Sequence, residues 1–296
     1  MMRSFSRGFT LALGGGGARG WAHIGVARAL DERRLRPTRI VGTSMGAIVG
    51  AGIAAGRSAD DIEQAARRTS VYRLVGRRGR LALFDPRPLL EKLATDLGDP
   101  NIEDLPVPLG ITAYDLVTGR PRLFTRGRLV DALEVSIAVP FFFPPRRDRD
   151  GIWCDAGPWE GVPVSQARRW APDLPVIGVW ADIPKPAALS SRFGAAALRA
   201  VSARLGPGTA AERLTARRYL GLLTQRWADP VVDDPPDLLI KPKLGLMNAL
   251  QFGRIDRAVA IGERDARAAL ATLAELPDRM ARPMEPQPQT EEPSHV

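Results

Sequence analysis

The chain is poor in the residues that staple, ligate and span. One of its 296 residues is cysteine, Cys154, so no internal disulfide forms and no thiolate cluster is available to a metal. That scarcity fits a reducing compartment. Histidine occurs twice, at His23 and His295, and this supply together with one cysteine excludes the usual zinc ligand sets. Lysine is nearly as scarce: Lys92, Lys185, Lys241 and Lys243 are the only four among 42 basic residues, an arginine bias that reads as genome composition. No stretch approaches the ~20 apolar residues of a membrane span. Arginines precede an early apolar run, Phe9 to Leu13, but that run is too short for the core of a signal peptide and leads straight into glycines.

What the chain does have is apolar mass and positive charge. A hydrophobic fraction of 45% is ample for a packed core, in one large domain or two small ones. The formal net charge is +9, and its densest cluster is Arg67, Arg68, Arg73, Arg77, Arg78 and Arg80. Such a cluster suits lipid headgroup phosphates or nucleic acid, and a solvated surface loop is the plainer alternative. No nucleic-acid motif accompanies it and no aromatics interleave with it, so no nucleic-acid partner is expected.

Strands and helices alternate along the chain. Strand patterns at Phe9 to Leu13, Arg39 to Val41, Leu109 to Tyr114, Ile152 to Cys154, Pro175 to Ala181 and Asp237 to Ile240 are separated by helical ones. The helices are expected at Trp21 to Arg33, Ala47 to Ala55, Ala59 to Thr69, Pro86 to Leu97, Arg128 to Ile137 and Arg254 to Leu276. A turn at Asp115 to Gly119 returns the chain as a hairpin partner, Arg122 to Thr125. This alternation predicts an α/β fold with a mainly parallel sheet between helices, in one domain over residues 9–276. Residues 1–8 form a short extension. A helical, arginine-rich stretch at 191–227 is a candidate cap over a site, and a proline- and acid-rich tail, 277–296, is expected to be disordered.

Two stretches carry chemistry at the front of the domain. Gly14-Gly15-Gly16-Gly17-Ala18-Arg19-Gly20 joins the first strand to the first helix, where consecutive amides and a helix N-terminus gather positive potential. Gly15, Gly17 and Gly20 fit a dinucleotide fingerprint, yet the second strand ends in a serine instead of the acidic residue that would hold a ribose. No Lys-Ser or Lys-Thr pair follows the glycines, so a Walker-type loop fails as well. The second stretch, Gly42-Thr43-Ser44-Met45-Gly46, turns a strand sharply into a helix. Such a bend exposes the serine hydroxyl as a nucleophile, and a Cβ on either flanking glycine would collide with its neighbours. A serine capping an ordinary buried helix is the bland alternative. The oxyanion reading of the glycine loop prevails, because the first two strands then deliver donors and nucleophile to one sheet edge.

A base for Ser44 is harder to find. His295 lies in the tail, and His23 sits one turn past the glycines, where a structural role or help in holding that loop is the common case. A carboxylate is therefore the more plausible base. Asp155 ends a short apolar strand, Ile152 to Cys154, and is followed by small residues; a turn aspartate capping its own backbone is the alternative. Phe141-Phe142-Phe143 either lines an acyl pocket or closes a core strand.

The stretches Gly14 to Gly25, Val41 to Gly50, Thr112 to Gly119, Ser136 to Pro145 and Asp155 to Val164 together resemble the bacterial patatin-like phospholipases, in the branch containing the catalytic domain of neuropathy target esterase. The resemblance implies a three-layer α/β/α fold and a Ser/Asp dyad without histidine, with Ser44 as nucleophile and Asp155 as base. It implies oxyanion donors at Gly15, Gly16 and Gly17, with Arg19 at the basic position of that loop and Gly20, Gly42, Gly46 and Gly157 as motif glycines. No cofactor and no metal are implied. The substrate would be a lipid ester, a phospholipid or lysophospholipid. Separately, a cytoplasmic location is expected, the arginine cluster offering peripheral contact with an anionic inner-membrane face. Two departures stand out. Ala156 replaces a family glycine, and a positive φ there would cost alanine roughly 1 kcal/mol. Glu160-Gly161 replaces an Asn-Pro-like pair on the substrate side. An acyltransferase or general carboxylesterase would use the same dyad, and a noncatalytic protein could bind a nucleotide or another anion on the glycines.

Overall fold

Short aliphatic runs bounded by glycine and proline form the strands, and the longer amphipathic runs form helices. The structure, a computed structural model, describes residues 8–69, 76–77, 84–139, 142–181 and 234–274. The expected cap at 191–227, the tail at 277–296, Phe141 and Arg73, Arg78 and Arg80 lie outside the described residues. In order come β1 (Thr10–Leu13), a 3₁₀ turn (Gly17–Trp21), α1 (Ala22–Glu32), β2 (Arg39–Thr43), α2 (Met45–Ala54) and α3 (Ala59–Arg68). A two-residue pair, β3 (Gly76–Arg77) and β4 (Phe84–Asp85), precedes α4 (Arg87–Leu97), β5 (Leu109–Asp115), β6 (Arg120–Phe124) and α5 (Leu129–Ser136). Then follow β7 (Arg146–Arg147), β8 (Ile152–Cys154), α6 (Val164–Trp170), β9 (Val176–Val179), β10 (Leu238–Ile240) and α7 (Ile255–Ala274).

The main sheet runs β10-β9-β1-β2-β5-β8-β7, with β6 also on β5. The five strands from β10 to β5 are parallel, whereas β6, β7 and β8 are antiparallel to their neighbours. Alternation along the strands sends side chains to two faces. Leu11, Leu13, Ile40, Ile177 and Val179 join a large apolar cluster with α1, α2, α5 and α7. Ala12, Val41 and Val176 join a second cluster with Val164 and Ala167 of α6. Both faces are thus covered, as a parallel sheet requires.

Local signals fix the helix ends. Ser58 and Asp61 form a reciprocal capping box at α3, and Gly98 ends α4 in the left-handed conformation. Helix α6 begins right after Pro163 and spans only seven residues, too few for a periodic pattern to announce it.

The first and last helices cross at glycines. A Cβ on Gly25 would stand 2.0 Å from the Val259 carbonyl oxygen, and one on Gly262 would stand 2.1 Å from that of Ala22. Backbone meets backbone here, and α7 is thereby seated on the helix that follows the glycine loop. Gly262→Ala forces the pair apart and is expected to cost about 2–3 kcal/mol, read as a lower urea midpoint with an unchanged slope.

Candidate active site

Strand register places the two chemical stretches opposite one another. Thr43, the last residue of β2, pairs with Thr112 of β5, and Cys154, the last residue of β8, pairs with Tyr114. Because β6 occupies the other edge of β5 along Ile111 to Asp115, β2 and β8 share one edge and approach head to head. One residue beyond each strand end lie Ser44 and Asp155, both level with Ala113.

Ser44 sits at φ 55° and ψ −123°, a region that L-residues avoid and that surrounding structure must hold. The holding is visible on all sides. A Cβ on Gly46 would stand 2.3 Å from the Leu13 carbonyl oxygen, and one on Gly42 would stand 2.5 Å from the Ala47 Cα. The Ser44 amide donates to Ser136 Oγ at 2.9 Å, and the Thr43 and Thr112 hydroxyls share a hydrogen bond of 2.6 Å beneath it. The Ser44 hydroxyl lies close enough to the Asp155 carboxyl to draw its pKa down.

Asp155 is buried, its amide donates to the Ala138 carbonyl at 3.1 Å, and its Oδ1 accepts from the Gly157 amide at 2.6 Å. Burial pushes its carboxyl up from 3.8 to about 6, against the opposing pull of the Ser44 hydroxyl and the Gly157 amide. Ala156 is buried with a negative φ, so alanine fits that position without left-handed strain. The neighbouring Cys154 thiol is pushed well up by burial and by nearby carboxylates, which leaves it an inert core group.

The glycine loop lies alongside. A Cβ on Gly15 would stand 3.5 Å from Ser44 Cβ. His23 is fully buried, its pKa lowered to about 4 by burial, and its Nε2–H donates to the Gly14 carbonyl at 2.8 Å. In a trans peptide the C=O and the next N–H point in opposite directions, so this grip turns the Gly15 N–H away from His23. Among the described residues the amides of Gly15, Gly16 and Gly17 donate to no protein acceptor, whereas the Ala18 amide is spent on the Ala249 carbonyl at 2.8 Å.

Arg19, at the basic position of the loop, points away from the serine toward backbone carbonyls. Its Nε donates to the Ala181 carbonyl at 3.2 Å, and its Nη1 to the carbonyls of Gly245, at 3.0 Å, and Met247. Its amide turns back onto Gly16. Arg19 thus ties together the loops that follow β1, β9 and β10 and braces the glycine loop from behind. Gly20 packs against Met45, where its own Cβ would stand 2.4 Å from Met45 Cγ.

Ser136 and the Thr43–Thr112 pair escaped sequence reasoning as site residues, since a lone serine at a helix end carries no motif. Phe142 and Phe143 pack on Phe84, with ring centroids 6.3 and 6.2 Å apart. Phe143 and Phe84 border the apolar cluster that contains Met45. Glu160 binds the amide and hydroxyl of Ser165 at the start of α6, so this departure from the family pattern serves a helix end. Among the described residues no group of three or more His, Cys, Asp or Glu is arranged to hold a metal ion.

A strained serine at a strand–helix bend, backed by glycine amides on a parallel sheet, defines an acyl-hydrolase type of fold. Residues 11–168 match the family model for patatin-like phospholipase, and the chain belongs to that family. An uncharacterized NTE family protein of Mycobacterium tuberculosis is 36% identical over 176 residues, covering 58% of this chain and 46% of that protein. The neuropathy target esterase sws of Drosophila persimilis is 30% identical over 168 residues, 52% of this chain and 11% of that protein. VipD from Legionella pneumophila shares the fold, with a TM-score of 0.56 and 15% sequence identity over 92% of this chain and 67% of VipD. The chain spans about half the length of the mycobacterial relatives.

A buried carboxyl that ionises late makes folding costly above its unfolded pKa. The unfolded group loses its proton near 3.8 and the folded one near 6, so the penalty grows between those values and is constant above. Two units correspond to about 3 kcal/mol. Asn keeps the acceptor for the Gly157 amide and carries no charge. Asp155→Asn is expected to unfold at a higher urea midpoint than wild type at about pH 8, the gap closing toward pH 4.

Proposed function

We propose that the chain is a serine acyl hydrolase acting on lipid esters, phospholipids or lysophospholipids, through a Ser44/Asp155 dyad, with residues 9–276 as the catalytic unit. The observation that carries this reading is the meeting of strained Ser44 and the buried Asp155 at the facing ends of β2 and β8, with the glycine loop beside Ser44. Family membership supports the choice of a lipid ester, as does the apolar lining near Met45.

Asp155 takes the Ser44 proton as Oγ attacks the ester carbonyl carbon. The tetrahedral oxyanion is stabilised by the amides of Gly15, Gly16 and Gly17, aided by the N-terminus of α2. Asp155 then returns the proton to the departing alkoxide, which leaves as an alcohol. Water attacks the acyl-enzyme, Asp155 accepts its proton, and collapse releases the fatty acid as Ser44 regains its hydrogen. No histidine is required: His23 is held neutral against Gly14, and burial raises Asp155 toward the range in which a carboxylate is an effective base. The donor loop is poorly suited to a nucleotide phosphate, because Ala249 covers Gly17 and consumes the Ala18 amide.

Fluorophosphonate labelling followed by peptide mapping tests the assignment. Label is expected on Ser44, absent in Ser44→Ala and slowed by about a hundredfold or more in Asp155→Asn. The labelling rate should rise with pH through about 6 and level above, because the ionised carboxylate is the base. A folded wild type that takes no label, or a rate that falls through that range, removes the dyad.

A further inference from the structure

The segment between β10 and α7 is held from beneath and bare above. Pro242, Leu244 and Met247 are buried, Arg19 grips the carbonyls of Gly245 and Met247, and the Lys243 amide donates to Asp265 Oδ2 at 2.7 Å. Ala249 lies against Gly17, so the segment borders the donor loop of the active site. Between these anchors Leu246 projects with 96% of its surface exposed. The described residues hold three other exposed large apolar side chains, Val117, Trp159 and Leu250. Val117 follows the C-terminal end of β5, and Leu250, like Leu246, follows that of β10. Trp159 follows Asp155 and packs on Tyr114 with ring centroids 5.2 Å apart. All four therefore follow strand ends at the sheet edge that carries Ser44, and Leu246 is the most exposed of them.

The segment carries a surplus of positive charge. Two of the chain's four lysines, Lys241 and Lys243, fall in the segment, and Arg254 and Arg257 follow it. The one acid between Lys241 and Arg257 is Asp256, which pairs with Arg67. Lys243, Arg254 and Arg257 are exposed and make no direct ion pair among the described residues; the carboxylate near Lys243 is Asp265, which pairs with Arg264. A held apolar tip in a segment with a surplus of exposed cations matches a bilayer interface with anionic headgroups.

We propose that Lys241–Arg257 is the lipid-docking element of this protein, inserting Leu246 among acyl chains while Lys243, Arg254 and Arg257 meet headgroup phosphates. The reading of the site as a lipid-ester hydrolase gives this docking its purpose: it lays the Ser44 edge on the surface where the ester bonds lie. Arg19 makes the docking segment and the donor loop one rigid unit, so insertion positions the oxyanion donors relative to the bilayer.

The test is co-sedimentation of the full chain with phosphatidylcholine vesicles, with and without phosphatidylglycerol, beside fluorophosphonate labelling without vesicles. Wild type is expected to bind the phosphatidylglycerol vesicles and to be released by salt. Leu246→Asp should weaken binding about tenfold or more, and Lys243→Glu about fivefold or more. Both side chains are exposed and outside the site, so labelling of Ser44 should be unchanged. Wild-type affinity in both variants overturns the proposal. So does a Leu246-dependent dimer that ignores vesicles, which would make a second copy the occupant. A chain that takes no label yet docks through Leu246 keeps this proposal and loses the hydrolase; a labelled chain that ignores vesicles does the reverse.

Discussion

The backbone bend at Ser44 is the constraint on which the rest of the site depends. A non-glycine residue at φ 55° and ψ −123° costs of order 1–3 kcal/mol and persists only where its surroundings leave no alternative. Those surroundings come from four parts of the chain. Gly42 and Gly46 let α2 approach β1 and β2 at backbone distance, and Ser136 satisfies the amide that the bend removes from the sheet. Thr43 and Thr112 lock the end of β2 to β5. The bend also keeps the hydroxyl out of the capping role, since the Ser44 side chain makes no cap hydrogen bond to α2.

The second constraint is the meeting of two strands on one edge of β5. Strand β2 runs up that edge and stops at Thr43, and β8 runs down it and stops at Cys154. The gap between them is filled by the residues that each strand next delivers. In the proposed mechanism this arrangement lets aspartate act without histidine. A carboxylate placed within hydrogen-bonding reach by backbone register needs no intermediary, and burial supplies the basicity that a solvent-exposed aspartate, with its pKa near 3.9, would lack. His23, the histidine nearest the site in sequence, is occupied in orienting a peptide of the donor loop.

Much of this was legible because its causes are local. Glycine positions at a strand–helix bend and in the first loop follow from steric rules that hold wherever they occur, and aliphatic runs between turns marked the parallel core. Features set by distant contacts were not legible. The antiparallel course of β8 depends on where the chain returns after α5, which no residue within β8 encodes. Ser136 acts on a backbone amide 92 positions away. Arg19 stands in a donor loop by sequence, yet its guanidinium reaches carbonyls more than 160 positions on. Ala156 departs from a family glycine without penalty, because that glycine's freedom is unused in this backbone.

Arg19 also shows how the periphery of the site reaches its centre. A buried guanidinium is costly unless its N–H groups are satisfied, and here carbonyls from the ends of β9 and β10 satisfy them. Each of those loops is fixed as a consequence, and they close around the 3₁₀ turn that begins at Gly17. Ala249 then completes the floor beneath the glycines by taking the Ala18 amide, which stops the loop from folding onto its own donors. The free amides of Gly15, Gly16 and Gly17 are thus paid for at a distance: their neighbours are bonded so that they need not be. In the proposed reaction such preorganised donors would stabilise the developing charge without rearranging, the effect from which sites of this kind draw most of their catalytic power.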